Sequence, residues 1–161
     1  MKELILQKLN TISESIIVEV TEFRNDLSIT VQPEYLVDAC KLLRDDAQLK
    51  FEMCEDVTAI DWSTRKNRFT VVYHIYSFIN KTRLRIKVNL EGDEIESVTS
   101  VWRSANWYER ETFDMYGIKF KNHPDLRRVY MPEEFEYYPL RKEFPVLGIP
   151  GSLPLPKGDE R

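Results

Sequence analysis

Four prolines, Pro124, Pro132, Pro139 and Pro145, interrupt the last third of the chain every six to eight residues. Each removes a backbone donor and fixes φ, so neither a long helix nor a central strand fits there. The stretch is not the composition of a disordered end, because Tyr130, Phe135, Tyr137, Tyr138 and Phe144 crowd into it beside Arg141 and Lys142. A segment that is extended, aromatic and charged has to lie on a surface, its own domain's or a partner's, and aromatics with arginine are what interface anchors are made of. We therefore divide the chain into a domain at 1-121 and an extended C-terminal docking tail at 122-161.

Directly before the tail, WYERETFDMYG reads as a short amphipathic helix. Asn106 can cap it and Glu109 can close a capping box. Gly117 stands where a left-handed residue would stop it. Tyr108, Thr112, Met115 and Tyr116 can share one face by their spacing. Glu109 and Glu111 are two apart and point to different sides, so they do not chelate together. The economical use of Glu109, Glu111 and Asp114 is charge-assisted bonding to Arg110, Arg127 or Arg128, which would pin the tail to the helix.

Upstream, Lys2 to Thr11 suits a helix with Ile5, Leu9 and Ile12 on one side. Ile16–Phe23 and Leu27–Gln32 suit two strands around a turn at Arg24 to Asp26. In the second, Ser28, Thr30 and Gln32 would form the wet face. Pro33 opens a helix to about Asp45. Alternation from Leu49 to Cys54 suggests a further strand. Phe69–Phe78, apolar on both faces, marks a central strand, and Thr82–Leu90 splits into an apolar face and a basic one of Arg83, Arg85 and Lys87. The acidic loop Glu91–Glu96 is expected to be mobile. The fold class is α+β: a mostly antiparallel mixed sheet with helices packed on it, followed by the long proline-rich tail.

Chemistry is sparse in this pattern. The five glycines, at 92, 117, 148, 151 and 158, write no phosphate-binding loop between strand and helix. Cys40 and Cys54 cannot hold an iron–sulfur cluster or structural zinc within the chain, and are expected to be buried thiols. His74, mid-strand, is expected to be a hydrogen-bonded core histidine, and His123 to tie its turn to a carboxylate or a backbone carbonyl. The net charge of −4 argues against nucleic acid. No apolar run approaches the roughly 20 residues of a membrane-spanning helix. The Met-Lys-Glu start predicts no signal peptide, so membrane contact is expected only through partners.

The same stretch carries a family resemblance. Trp107 to Glu111, Asp114, Tyr116, Gly117, Phe120, His123, Pro124, Leu126, Arg127 and Arg128, then Met131, Pro132, Pro139, Leu140, Arg141, Lys142, Phe144 and Pro145 match its motifs. Upstream the match continues through Val57–Trp62, Val71–His74 and Leu84–Val88. This pattern resembles the 30 kDa subunit family of NADH:quinone oxidoreductase (respiratory complex I). Asn122 stands for the family's glycine, Tyr137-Tyr138 for its Gly-His, and Glu143 for its Asp. At Tyr137-Tyr138 this chain therefore has no histidine where the family pattern has one.

The resemblance implies a non-catalytic structural subunit of the hydrophilic peripheral arm, scaffolding the electron path from NADH to quinone. It implies no cofactor on this chain, with NADH, FMN, iron–sulfur clusters and quinone in the assembled complex. The partners would be the large hydrogenase-related subunit and other hydrophilic-arm subunits, on the cytoplasmic side of the inner membrane, or the matrix or stromal side in an organelle. Glu109, Arg110, Glu111, Asp114, Gly117, His123, Pro124, Arg127, Arg128, Pro139, Arg141 and Lys142 become the expected interface. The alternative is the same module in a membrane-bound hydrogenase, a formate hydrogenlyase or a ferredoxin-linked plastid or cyanobacterial complex. A hydrolase built on Glu109, Glu111 and His123 is the reading from a different class.

Overall fold

The computed structural model describes residues 1–145 and 148. Helix α1 (Lys2–Asn10) buries Ile5 and Leu9, with Ile12 packed beside them. Strands β1 (Ile17–Phe23) and β2 (Asp26–Val31) meet at Arg24 and Asn25, whose φ values of 51° and 69° make the two-residue turn that matches strand twist. A 3-10 turn at Pro33–Tyr35 leads into α2 (Leu36–Asp45), which buries Leu36, Ala39, Cys40 and Leu43. Then come β3 (Met53–Asp61), β4 (Phe69–Ser77), β5 (Thr82–Leu90), β6 (Glu94–Glu96), α3 (Ala105–Tyr116) and β7 (Lys119–Lys121).

The main sheet runs β1-β2-β5-β4-β3, antiparallel except for the parallel β2–β5 pair centred on Ile29 and Ile86. It is the expected α+β mixed sheet. Its apolar face carries Ile29, Ile86, Val88, Val71, Tyr73, Ile75 and Val57 against α1 and α2. β4 is an interior strand whose first five residues are buried whichever way they point. β3, at one border, would expose its carbonyls, but α3 lies along it. Ser104 Oγ donates to Cys54 O (2.9 Å) and Thr112 Oγ1 to Val57 O (2.8 Å).

Four local expectations change. The chain is not a strand from Leu49: Asp46 Oδ1 captures the N–H groups of Gln48 and Leu49, and Lys50 turns at φ 46°. Leu49 and Phe51 are buried, and Met53 is exposed. Ser28 and Thr30 are buried rather than wet, flanked by strands on both sides, with the Arg85 guanidinium on the Ser28 hydroxyl (3.1 Å). Glu91–Glu96 is no free loop: β6 pairs with β7 in parallel, Ile95 opposite Phe120, both buried. His74 is half-buried on the face away from the helices, and no side-chain hydrogen bond is found for it among the described residues.

Candidate functional site

Helix α3 presents charge on the sides where most helices present hydrocarbon. Its periodicity makes two stripes. Ala105, Glu109 and Thr112 turn toward β3 and the core, while Arg110 and Asp114, one turn apart, are buried under the tail. Tyr108, Met115 and Tyr116 are only half-buried beside Thr112, so the expected apolar face is secondary.

Glu109 does not close a capping box. The helix opens one residue earlier than Asn106 and no side chain caps it. One turn in, the Glu109 carboxylate accepts the Ser97 hydroxyl (2.6 Å) and the Val98 N–H (2.7 Å), fastening the loop that follows β6. The side chain is fully buried. Burial pushes its pKa up to about 7, against the opposing pull of those two donors.

His123 Nε2 stands 4.0 Å from that carboxylate. Its Nδ1 accepts the Asp125 N–H (3.0 Å), so Nε2 carries the proton and donates to Asn106 O (3.1 Å). Burial lowers its pKa and favours this neutral form. The turn is thereby tied to a backbone carbonyl, one of the two roles the sequence suggests. Asn122, in the glycine position, has φ 60°, and exposed Pro124 follows the histidine.

Asp114 holds the tail. Its Oδ2 accepts three successive backbone N–H groups, Val129 (3.0 Å), Tyr130 (2.7 Å) and Met131 (3.0 Å), and its Oδ1 accepts Arg128 (2.6 Å). Burial alone would raise this carboxyl's pKa, but the four donors outweigh it and hold the group below the usual range. Arg110 reaches the carbonyls of Arg127 and Arg128 (3.2 and 3.4 Å) and stacks over Trp107. The Arg127 side chain pairs with its neighbour Asp125, and Glu111 is exposed, so neither side chain joins the helix–tail bonding expected of it.

Gly117 ends the helix in the left-handed conformation (φ 74°, ψ 21°), as its position predicts. A Cβ there would stand 2.5 Å from Arg141 Nη2 and 2.6 Å from the Tyr138 ring. The tail thus crosses the helix end at contact distance. Leu140 N–H donates to Met115 O (3.1 Å) and Arg141 Nε to Tyr116 O (2.6 Å), completing carbonyls the helix leaves open. Pro139 is half-buried between Tyr138 and Leu140.

A last fastening lies at the end of β3. Asp61 accepts both ends of a fork from Arg68 (2.9 and 2.7 Å), the Ser63 N–H, and the Lys142 N–H (2.9 Å). Arg68, the first of these, holds the carboxyl far below the usual range, and Arg68 also pairs with Glu143. The Lys142 side chain is exposed. Sequence reasoning matched Asp61 to the family pattern without giving it a role, and passed over Arg68 and Ser97. A signal existed for Asp61: it falls on the buried parity of Val57 and Ala59, where an acid needs a partner.

What the tail displays outward is Tyr130, Tyr137 and Leu140, each about half exposed or more, beside a cluster of Phe135, Tyr137 and Phe144 rings. Cys40 and Cys54 are buried free thiols, and burial lifts Cys54 to about 12. Among the described residues no helix is long and apolar enough to cross a membrane.

Residues 29–149 match the family described as respiratory-chain NADH dehydrogenase, 30 Kd subunit. The chain is 44% identical over 144 residues to the C subunit of NADH-quinone oxidoreductase from Roseiflexus sp. (strain RS-1), covering 88% of this chain and 83% of that one. It is 47% identical over 127 residues to the C 2 subunit of the same enzyme from Rhizobium meliloti (strain 1021), covering 78% and 70%. Among solved structures, the trypsin-resistant fragment (1-134) of Nqo5 superposes with TM-score 0.62 at 25% identity, over 78% of this chain and 98% of that one. A chain of the membrane-bound sulfane sulfur reductase, an archaeal respiratory membrane complex, shares the fold with TM-score 0.74 at 22% identity, over 91% and 86%.

Proposed function

Because the chain belongs to the 30 kDa subunit family of respiratory-chain NADH dehydrogenase, we propose that it is a non-catalytic scaffold in the peripheral arm of a proton-translocating NADH:quinone oxidoreductase. In this role it docks beside the large hydrogenase-related subunit and other hydrophilic-arm subunits on the cytoplasmic face, or the matrix or stromal face in an organelle. The NADH site, FMN, iron–sulfur clusters and quinone site belong to its neighbours. Its contribution is positional: it keeps cofactor-bearing partners at fixed separations along the electron path.

One observation carries this reading. Five charged residues of the family signature, Glu109, Arg110, Asp114, Arg128 and Arg141, spend bonding capacity on this chain's own backbone. Asp114 takes three N–H groups and a guanidinium, Arg110 and Arg141 take carbonyls, and Glu109 takes a loop. Side chains used this way are supports, and what Asp114, Arg110 and Arg141 support is a tail that displays aromatic side chains in fixed positions. Such preorganisation is what a docking surface needs.

The test is purification through a tag on this chain, with mass spectrometry of whatever accompanies it, and NADH:quinone activity of the product. Flavin-bearing partners with NADH activity are expected, and the isolated chain should be colourless. Stoichiometric iron or flavin on the pure chain, or full quinone reduction in membranes lacking it, would overturn the proposal. Nickel-bearing partners would move the chain to a hydrogenase-type assembly.

A further inference from the structure

The loop between β4 and β5 is built against the habit of hairpin tips. Ser77 pairs with Thr82, leaving a connection of Phe78, Ile79, Asn80 and Lys81. Such positions ordinarily hold Gly, Asn, Asp or Ser. Here the two leading residues are a phenylalanine 57% exposed and an isoleucine 68% exposed.

The tip is also braced. Asn80 Nδ2 donates to Gln48 O (2.9 Å) and Leu49 O (2.8 Å), and the Ser77 hydroxyl donates to Leu49 O (2.8 Å). Thr82 Oγ1 donates to Asn80 O (2.9 Å), and the Phe78 N–H reaches Glu52 (3.3 Å). Apolar side chains on a frame already ordered lose little further entropy on binding. The patch extends along the sheet. The Tyr76 ring meets Phe78 edge-on at 5.2 Å, and exposed Met53 is the cross-strand partner of Tyr76.

We propose that this tip is a second docking point, at which Phe78 and Ile79 enter a hydrophobic pocket with a polar rim on another polypeptide of the assembly. The proposal rests on the reading of the chain as a subunit. The occupant follows from charge and size. Arg83 is forked onto Glu55 (2.9 and 3.1 Å), and Glu52 stands beside Lys81's loop, so the rim of the patch is balanced. An anionic bilayer surface selects clusters of roughly four to eight Lys and Arg, whereas beside the tip Arg83 is paired and only Lys50 and Lys81 have no ion pair among the described residues. A tip-to-tip pair of this chain would bury four side chains from each copy, far below the roughly 1,200 Å² of a stable interface. An apolar centre with a neutral polar rim is the anatomy of a protein–protein contact. The tip also stands a full strand away from the Asp61–Lys142 fastening, roughly 25–30 Å along β4. Two such points would fix the subunit's orientation where one leaves it free to pivot.

The experiment places a photo-crosslinking benzoylphenylalanine at position 78 of the full chain in cells that make the complex. A second chain carries it at position 130 as a control on the tail. The expected result is one crosslink from position 78 to an apolar segment of another subunit. Phe78→Ser with Ile79→Ser should leave the melting temperature of the free chain unchanged and cut its affinity for the assembly about tenfold or more. A crosslink to a second copy, co-sedimentation of the wild-type chain with phosphatidylglycerol vesicles that the double variant loses, or no crosslink in a complex that position 130 does reach would each overturn the proposal. If the wild-type chain enters no complex, the assembly reading falls and the tip proposal with it.

Discussion

Replacing Glu109 by Gln should make the protein more stable at pH 8 and change little at pH 5. The folded carboxyl titrates near 7 and an ordinary glutamate near 4.5. The folded state therefore binds a proton that the unfolded chain has released, and stability falls as pH rises through that window. The gap is worth roughly 3 kcal/mol once pH passes 7. For a domain of this size that is about 6–12 °C in melting temperature. Gln preserves the bonding, because its oxygen can accept the Val98 N–H while its amide donates to the Ser97 hydroxyl, which can turn to Thr99 Oγ1 at 2.7 Å. His123 works in the opposite direction: its lowered pKa adds stability as pH rises toward 6.5. It is present in both proteins but lies 4.0 Å from the Glu109 carboxylate, so the difference between their curves reads Glu109 together with its coupling to His123. Urea unfolding from pH 5 to pH 8 reads that difference. A difference independent of pH, or a Gln variant that weakens with rising pH, would mean the two donors keep Glu109 ionised in spite of burial.

Gly117→Ala should cost about 2–4 kcal/mol in urea unfolding, combining a left-handed backbone with a Cβ driven into Arg141 and Tyr138. Asp114→Asn keeps the shape but strips Arg128 of its counter-charge, so about 3–5 kcal/mol should be lost in a thermal melt. Asp61 and Asp114 both have lowered pKa values. The stability they supply is present above the ordinary carboxylate pKa, about 4, and is lost as pH falls below it; an acid titration of Asp61→Asn should show a shallower decline than wild type. Arg141→Glu removes the bond to Tyr116 O and sets an anion against a helix C-terminus. It should lower the free chain's stability by about 1–2 kcal/mol as well as weaken assembly, and an unchanged melt would place the tail's grip elsewhere.

Much of the frame was legible because it follows periodicity. The alternation of Leu84, Ile86, Val88 and Leu90, the two-faced burial of β4 and the stop at Gly117 are properties of a few neighbouring residues. What escaped depends on partners distant in sequence. Ser28 and Thr30 look solvent-facing until β5 arrives more than fifty residues later. A loop of acids around one isoleucine becomes β6 only when Lys119–Lys121 is laid beside it, with Lys119 and Lys121 both near Glu94. The pull of Asp114 on the tail was foreseeable from opposite charges, and Arg128 is indeed its partner. Glu109 was misread because a capping box is a local pattern, and the donors it actually serves lie on the far side of a turn.

The fastening of Lys142 to Asp61 spans 81 residues, and that separation sets an order of events during synthesis. A chain emerging from the ribosome can close the β1–β2, β3–β4 and β4–β5 hairpins as each appears, since their contacts are near in sequence. The clasp at Asp61 has no second half until residue 142 has emerged. Until then Asp61 and Arg68 can satisfy each other, and the end of α3 stays open. Tyr137 and Leu140 therefore take up their positions last, so a nascent chain cannot recruit a partner through them before its own sheet is complete.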